Sequence, residues 1–482
     1  MKRRNTLCLW LWGLAFPAYT QSPIWITEQA FVEAVMAYHP AARQAELTEV
    51  AALAKQQAAR GAFDPVINGQ EKGKVWDGER YYTVTEANLV VPTASPIDVV
   101  IGRDDVDGSR VNASRYLPDG GQWRAGVRLD LGQGLITDAR RTALRQAQVL
   151  VDLGSAAREL MELDLRLSAQ EAFWSWWKAE SVLDLSQEAL TLARTQRNQV
   201  IRAVAEGARA AIDTVEVGLI LSRREADLKS AQAQAIVARA KVEAMLWEGG
   251  RPVALDPQAL PSGGASDQAL SKDPVVESAL QQAVSVPDEA ALRHPAVAEV
   301  EGQWALQRYT TRLARQGLRP TIEGRMDWLT GLDARVNPAE ADFLSRPDFA
   351  GFDPGQRQVT SLKVSMPLFL RKARGDVAQA EAELEKRSQK RLDISRQWQV
   401  QFAAVKAALP AKVAAAESAA RAARQSRLLL EAERSKWEAG ESDLFRVNTR
   451  EAAWVKARKT AISLQFEAQL AAREFGWWRA DS

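Results

Sequence analysis

Two histidines, His39 and His294, and one acidic run, Asp104-Asp105-Val106-Asp107-Gly108, are the residues whose types invite a metal ion. Zinc needs several nitrogen, sulfur or carboxylate ligands at short spacing, and two histidines far apart in sequence do not supply them. Each precedes a proline at the head of a helical stretch, where position and packing account for it. The acidic run lacks carboxylates at the first, third and fifth positions of a calcium loop and a Glu at the twelfth, so it reads as a solvated loop. Catalysis finds no support either: there is no nucleophile–base pair and no phosphate loop, and the scattered Glu and Asp belong to solvated helix faces. The chain reads as a non-enzyme without cofactor or metal. Trp174, Trp176 and Trp177 stand at helical spacing and read as packing between helices.

Charge is nearly balanced over the 482 residues, with 63 Lys+Arg against 61 Asp+Glu, so no nucleic-acid footprint is expected. Residues 1–20 have the parts of an export signal: Lys2-Arg3-Arg4, an apolar stretch from Leu7 to Ala18, and small residues near Thr20. The only cysteine, Cys8, lies inside that stretch, which leaves the exported chain without thiol chemistry. No later segment offers the run of about 18 apolar residues that a membrane helix needs. An exported chain of this kind is periplasmic, secreted or a β-barrel of the outer membrane.

The elements that must carry any function come in two similar halves. His39-Pro40 opens one and His294-Pro295 the other, each leading through a helix to a short strand segment, Val66-Ile67-Asn68-Gly69 and Thr321-Ile322-Glu323-Gly324. Helical periodicity covers about 28–61, 138–204 and 208–247, then about 289–317, 372–437 and 444–478. Pro410 falls inside one long block and should bend it or mark an irregular turn. A helix of about 66 residues is roughly 100 Å long, too long for one globular core, so the long helices are expected to pair as hairpins. The expected organisation is a first repeat over 24–248, a non-helical connector over 249–288 rich in proline and glycine, and a second repeat over 289–478.

Four strand segments lie between the helices. Three alternate well: 123–131, 322–328 and 361–366, with Val127, Leu129, Ile322, Met326, Leu362 and Val364 on the apolar side. The fourth, about 66–76, alternates poorly. Segments at about 77–122 and 331–356 are rich in Gly, Pro and Asp and read as loops. Apolar-out, polar-in alternation fits a transmembrane barrel, with these six residues toward lipid. Trp76, Trp123 and Trp328 are candidates for an interfacial girdle. Four strands cannot close in hydrocarbon, where every backbone group needs a partner, but three copies would supply twelve. The fold class expected is mainly α: duplicated long hairpins in a periplasmic α-barrel, with four strands per protomer in a shared twelve-stranded barrel.

The duplicated order of helix, strands, long helix, tight turn and helix resembles the TolC-like outer-membrane efflux proteins over about residues 24–478, as does Val364-Ser365-Met366-Pro367-Leu368-Phe369. So do the two turns, Val204-Ala205-Glu206-Gly207-Ala208 with Ile212-Asp213, and Ala439-Gly440-Glu441 with Asp443-Leu444. Glycine suits a helix-ending turn, and Asp213 and either Ser442 or Asp443 are expected as caps of the following helices, with Asp213 and Asp443 as charged rings narrowing a tube the competing role. The resemblance implies that Val204, Gly207, Ala208, Ile212, Asp213, Ala439, Gly440, Asp443 and Leu444 form a periplasmic tip contacting an adaptor (membrane-fusion) protein. It implies a homotrimeric efflux channel in the outer membrane, extending into the periplasm, served by an inner-membrane RND or ABC transporter. An outlet for type I protein secretion, or a soluble periplasmic coiled-coil scaffold whose strands do not meet lipid, are the competing readings.

Overall fold

The computed structural model describes residues 24–108, 117–118, 120–263, 270–331, 346–348, 353 and 355–480. The export-signal segment with Cys8, and most of the second loop, lie outside the described residues. In chain order, β1 (Ile24–Thr27), α1 (Glu28–Tyr38) and α2 (Pro40–Arg60) lead to β2 (Val66–Trp76), β3 (Glu79–Pro92), β4 (Ile97–Asp107) and β5 (Gln122–Asp130). Next come α3 (Ala139–Ala205), α4 (Ile212–Glu243), the short strands β6 (Trp247–Glu248), β7 (Arg251–Pro252) and β8 (Ala259–Ser262), and α5 (Pro274–Ser285). The second half runs α6 (Pro295–Gln316), β9 (Thr321–Thr330), β10 (Gln358–Ser365), α7 (Arg371–Glu438) and α8 (Leu444–Trp478).

The long helices are continuous over 67 and 68 residues. Alanine, leucine and the straight-chain charged residues that fill them lose little side-chain freedom in a helix. α7 runs unbroken through Pro410, although proline leaves the carbonyl four residues back without its helical partner. Among the described residues, no helix is long and apolar enough to cross a membrane.

Two expectations fail here. The segment at 77–122 is not a loop: it contains β3 and β4, so the chain brings six strands to one sheet rather than four. Nor is the connector non-helical. Asp273 Oδ1 accepts from the Val275 and Val276 amides at 3.0 and 3.3 Å, and Val276, Ala279 and Ala283 give α5 a buried stripe that Pro274, at its first position, does not disturb.

The chain divides into two compact units. One comprises 41–164, 285–406 and 476–482 and holds the six-stranded sheet. In it His294 is the N-cap of α6: Nδ1 accepts from the Ala296 amide at 3.2 Å, and Nε2 contacts the Trp477 carbonyl at 3.1 Å. The ring lies 4.6 Å from those of Trp398 and Trp477. The other unit comprises the chain up to Pro40, 165–284 and 407–475. There β1 pairs in parallel with β8, and Trp174, Trp176 and Trp177 are buried with Phe31 and Phe173. Arg473 is buried beside them, its Nε donating to Glu28 Oε1 at 2.6 Å while Trp174 Nε1 donates to Glu28 Oε2 at 3.0 Å. The tryptophan cluster is therefore core, in line with its helical spacing.

Candidate functional site: a two-faced sheet and two hairpin turns

The sheet runs β10-β9-β5-β4-β3-β2, with every neighbouring pair antiparallel. Side chains alternate between faces along a strand, so register decides which residues share a face. Val99 faces Val127 across β4/β5, Val127 faces Met326 across β5/β9, and Leu129 faces Gly324, which faces Leu362. Ile322 faces Val364. All six residues picked out by alternation thus lie on one face, joined there by Leu89, Val91, Ile97 and Ile101 of the strands that the sequence concealed. Trp123 and Trp328 fall on this face too. Trp76 ends β2 and is exposed.

The opposite face is charged. Arg124 Nη1 donates to Asp104 Oδ2 at 2.7 Å and its Nη2 to the Asn88 side chain, tying β5 to β4 and reaching β3. Arg325 pairs with Asp327 at 2.7 Å along β9. Arg140, at the start of α3, reaches Asp98 at 3.0 Å. Asp104, Asp105 and Asp107 belong to strand β4 rather than to a calcium-type loop: Asp104 is on this face, whereas Asp105 and Asp107 alternate to the other, and the exposed Asp107 lies 3.7 Å from Arg80 at the strand end. Among the described residues no group of three or more His, Cys, Asp or Glu is arranged to hold a metal ion.

At the other functional candidate, each long helix ends in the same hydrogen-bonded turn. Gly207 has φ of +75°, and the Ala208 amide donates to the Ala203 carbonyl at 2.8 Å. Gly440 has φ of +79°, and the Glu441 amide donates to the Lys436 carbonyl at 2.8 Å. Both are six-to-one closures around a left-handed residue, where glycine has no Cβ to clash. Asp443 caps α8, accepting from the Arg446 amide at 2.8 Å. Asp213 does not cap α4: it sits inside the first turn and pairs with Arg209 at 3.7 Å. Val200, Val217 and Leu444 form a buried cluster against which Val204 and Trp437 pack, so the two turns are joined by a small apolar core.

No family model matches the sequence and no curated protein is significantly similar to it. Solved structures are similar over nearly the whole chain. The channel CusC aligns over 96% of this chain and 95% of its own, with TM-score 0.64 and 14% identity. The outer-membrane channel OprN aligns over 94% and 90%, also with TM-score 0.64 and 14% identity. The CmeC outer-membrane channel of Campylobacter jejuni aligns over 97% and 90%, with TM-score 0.62 and 11% identity. The fold is that of the TolC-like outer-membrane channels.

Within this TolC-like fold, Gly207, Ala208, Ile212, Ala439, Gly440 and Asp443 are exposed at the turns, and Val204 and Asp213 are half-buried. Leu444 is buried, which removes it from any surface of this chain. Its neighbour Phe445 is 72% exposed and Val215 is 65% exposed; neither is among the tip residues expected from the sequence, because spacing alone does not tell which apolar residue of a first helical turn points outward. The charged groups on β3 and β4 were missed with their strands. Their signal was present in Ile97-Asp98-Val99, a short alternation just after the turn residues Pro92 to Pro96.

Proposed function

We propose that three copies of this chain form an outer-membrane exit duct of a tripartite efflux system. The observation that carries this reading is a sheet with one apolar face, one charged face and two open edges on a single chain. Val127, Leu129, Ile322, Met326, Leu362 and Val364 face lipid, while Asp104, Arg124, Arg325 and Asp327 face an aqueous lumen. A lone copy in hydrocarbon would leave the edges of β2 and β10 without hydrogen-bond partners, and closure with further copies removes that cost. Closed homo-oligomers are symmetric, so each copy offers the same two edges to its neighbours.

The hairpin turns are the periplasmic tip, and the exposed Gly207, Ala208, Ile212, Ala439, Gly440 and Asp443 meet an adaptor protein bound to an inner-membrane RND or ABC transporter. Exposed apolar groups at Ile212, Val215 and Phe445 suit such a protein contact. Energy comes from the transporter. Membrane fractionation and crosslinking test the reading: the duct requires a trimer in the outer-membrane fraction that opens conducting pores in planar bilayers. A monomer confined to the soluble fraction would end it and leave the periplasmic scaffold.

A further inference from the structure

Over residues 87–91 and 97–101 the extra hairpin β3–β4 has the composition of a barrel wall, and Arg103, Asp105 and Asp107 occupy its apolar face only beyond that band. Its strands are 14 and 11 residues long, and a transmembrane strand needs about 9–11. Leu89 and Ile101 are partners on the apolar face, in the same ladder position as Ala125 of β5. On the other face Asn88 and Asp104 hold Arg124 of β5. A surface loop has no need of this two-sided match to the strands beside it. The hairpin is also central: it lies between β2 and β5, so β2 reaches the rest of the sheet only through it.

The edges agree with this placement. With six strands in an all-antiparallel order, β2 and β10 run in opposite directions. The β10 edge of one copy can therefore pair antiparallel with the β2 edge of the next, and the alternation continues across the seam. Every residue of both strands is exposed in a single copy, as expected for strands awaiting a partner.

We propose that the barrel closes on eighteen strands, six from each of three copies, with β10 of one copy paired to β2 of the next. This rests on the trimeric-channel reading above. At a strand spacing of 4.8 Å and a tilt near 40°, twelve strands give a backbone diameter of about 24 Å and eighteen about 36 Å. The wider barrel retains an aqueous lumen lined by the Asp104–Arg124 and Arg325–Asp327 pairs, repeated three times.

Cysteine chemistry tests this, because Cys8 is the only native thiol. In outer-membrane vesicles, single cysteines at Ile67, Leu89 and Val127 are expected to react with a bilayer-partitioned maleimide and to resist a membrane-impermeant one. Cysteines at Asn68 and Glu86 are expected to do the reverse. Protection at Val127 with full aqueous reactivity at Ile67 and Leu89 would put the hairpin outside lipid and overturn the proposal while leaving the channel intact. Aqueous reactivity at Val127 as well would instead sink the channel reading on which it rests. Paired cysteines on the open edges, Ser361→Cys with Val66→Cys, Asn68→Cys or Gln70→Cys, should yield a covalent trimer at one register. Failure at all three registers, with crosslinking of Ser361→Cys to β4 instead, would overturn it.

Discussion

Asp327 lies over Gly126, its ladder partner across β5 and β9, with its carboxylate paired to Arg325 at 2.7 Å. A Cβ at position 126 would overlap the Asp327 carboxylate and stand 2.5 Å from the Met326 carbonyl oxygen. Backbone and charge occupy the space that a side chain would need. Gly126→Val should therefore destabilise the sheet by about 1–3 kcal/mol through overpacking. Denaturant unfolding of the reconstituted protein checks this. An unchanged midpoint would mean that the charged face is loosely packed.

The buried Arg473 and the half-buried Glu28 form an ion pair under the Trp174 ring, whose centroid is 4.8 Å from the guanidinium carbon. Removing one partner strands the other charge in a low-dielectric site. Arg473→Met should cost about 3–5 kcal/mol, and adding Glu28→Gln should recover part of that loss. Comparison of the single and double variants by thermal melting measures the coupling. Additive losses would remove the pair from the stability of this unit.

Glu451 is buried against Arg224, whose Nε lies 3.1 Å from its Oε1. Burial raises its carboxyl pKa above the ordinary 4.5, and the attraction of Arg224 offsets that only in part. Its proton is held more tightly folded than unfolded, so stability from this group is present below pH 4.5 and falls as pH rises through the raised value. Glu451→Gln cannot lose a proton, and Arg224 keeps Asp227 at 3.3 Å. The variant should gain on the wild type as pH rises from about 4 to 7, read as melting temperature across that range.

His294 titrates with the opposite sign. Burial lowers its pKa below 6.5, against weaker support from the Trp477 carbonyl and Asp164. The neutral ring is the folded form, and its Nδ1 is needed as acceptor for the Ala296 amide. Stability should fall as pH drops below 6.5 toward the lowered value. His294→Asn keeps an acceptor at the cap and has no proton to gain, so its melting temperature should vary less over this range. Equal slopes for both proteins would exclude His294 as the titrating group.

Ile212→Asp and Phe445→Asp place charge on exposed apolar positions at the turns. Both should fold and trimerise normally, since neither side chain is buried. Both should lose crosslinking to the adaptor and export of its cargo by tenfold or more, the effect of about 1.4 kcal/mol or greater at an interface. Unimpaired export would move the docking surface away from Ile212 and Phe445.

The helices were legible because their signal is long: alanine, glutamate and leucine repeat at threes and fours for nearly seventy residues, and the turns end in glycine. The apolar side of β5, β9 and β10 is legible in their clean alternation, which singles out Val127, Met326 and Leu362, whereas the pairing that puts them on one face is not. β3 and β4 were hidden for a physical reason. β4 carries Asp98 and Asp104 on the charged face and Gly102 within it, and Pro92 and Pro96 flank the turn before it, residues that elsewhere mark loops. Leu89-Val90-Val91 further blurs the period because Val90 is apolar on the charged face. Leu444 was misplaced because an apolar residue beside a turn looks the same whether it meets a neighbouring helix or a partner protein.

The antiparallel order of the sheet leaves its calibre open to change. Strands join it in pairs, and each added or deleted hairpin between β2 and β5 preserves the direction of both outer strands. In the proposed trimer, the seams between subunits are then indifferent to how many hairpins lie between them. An assembly closed in this way lets pore width and subunit recognition diverge independently.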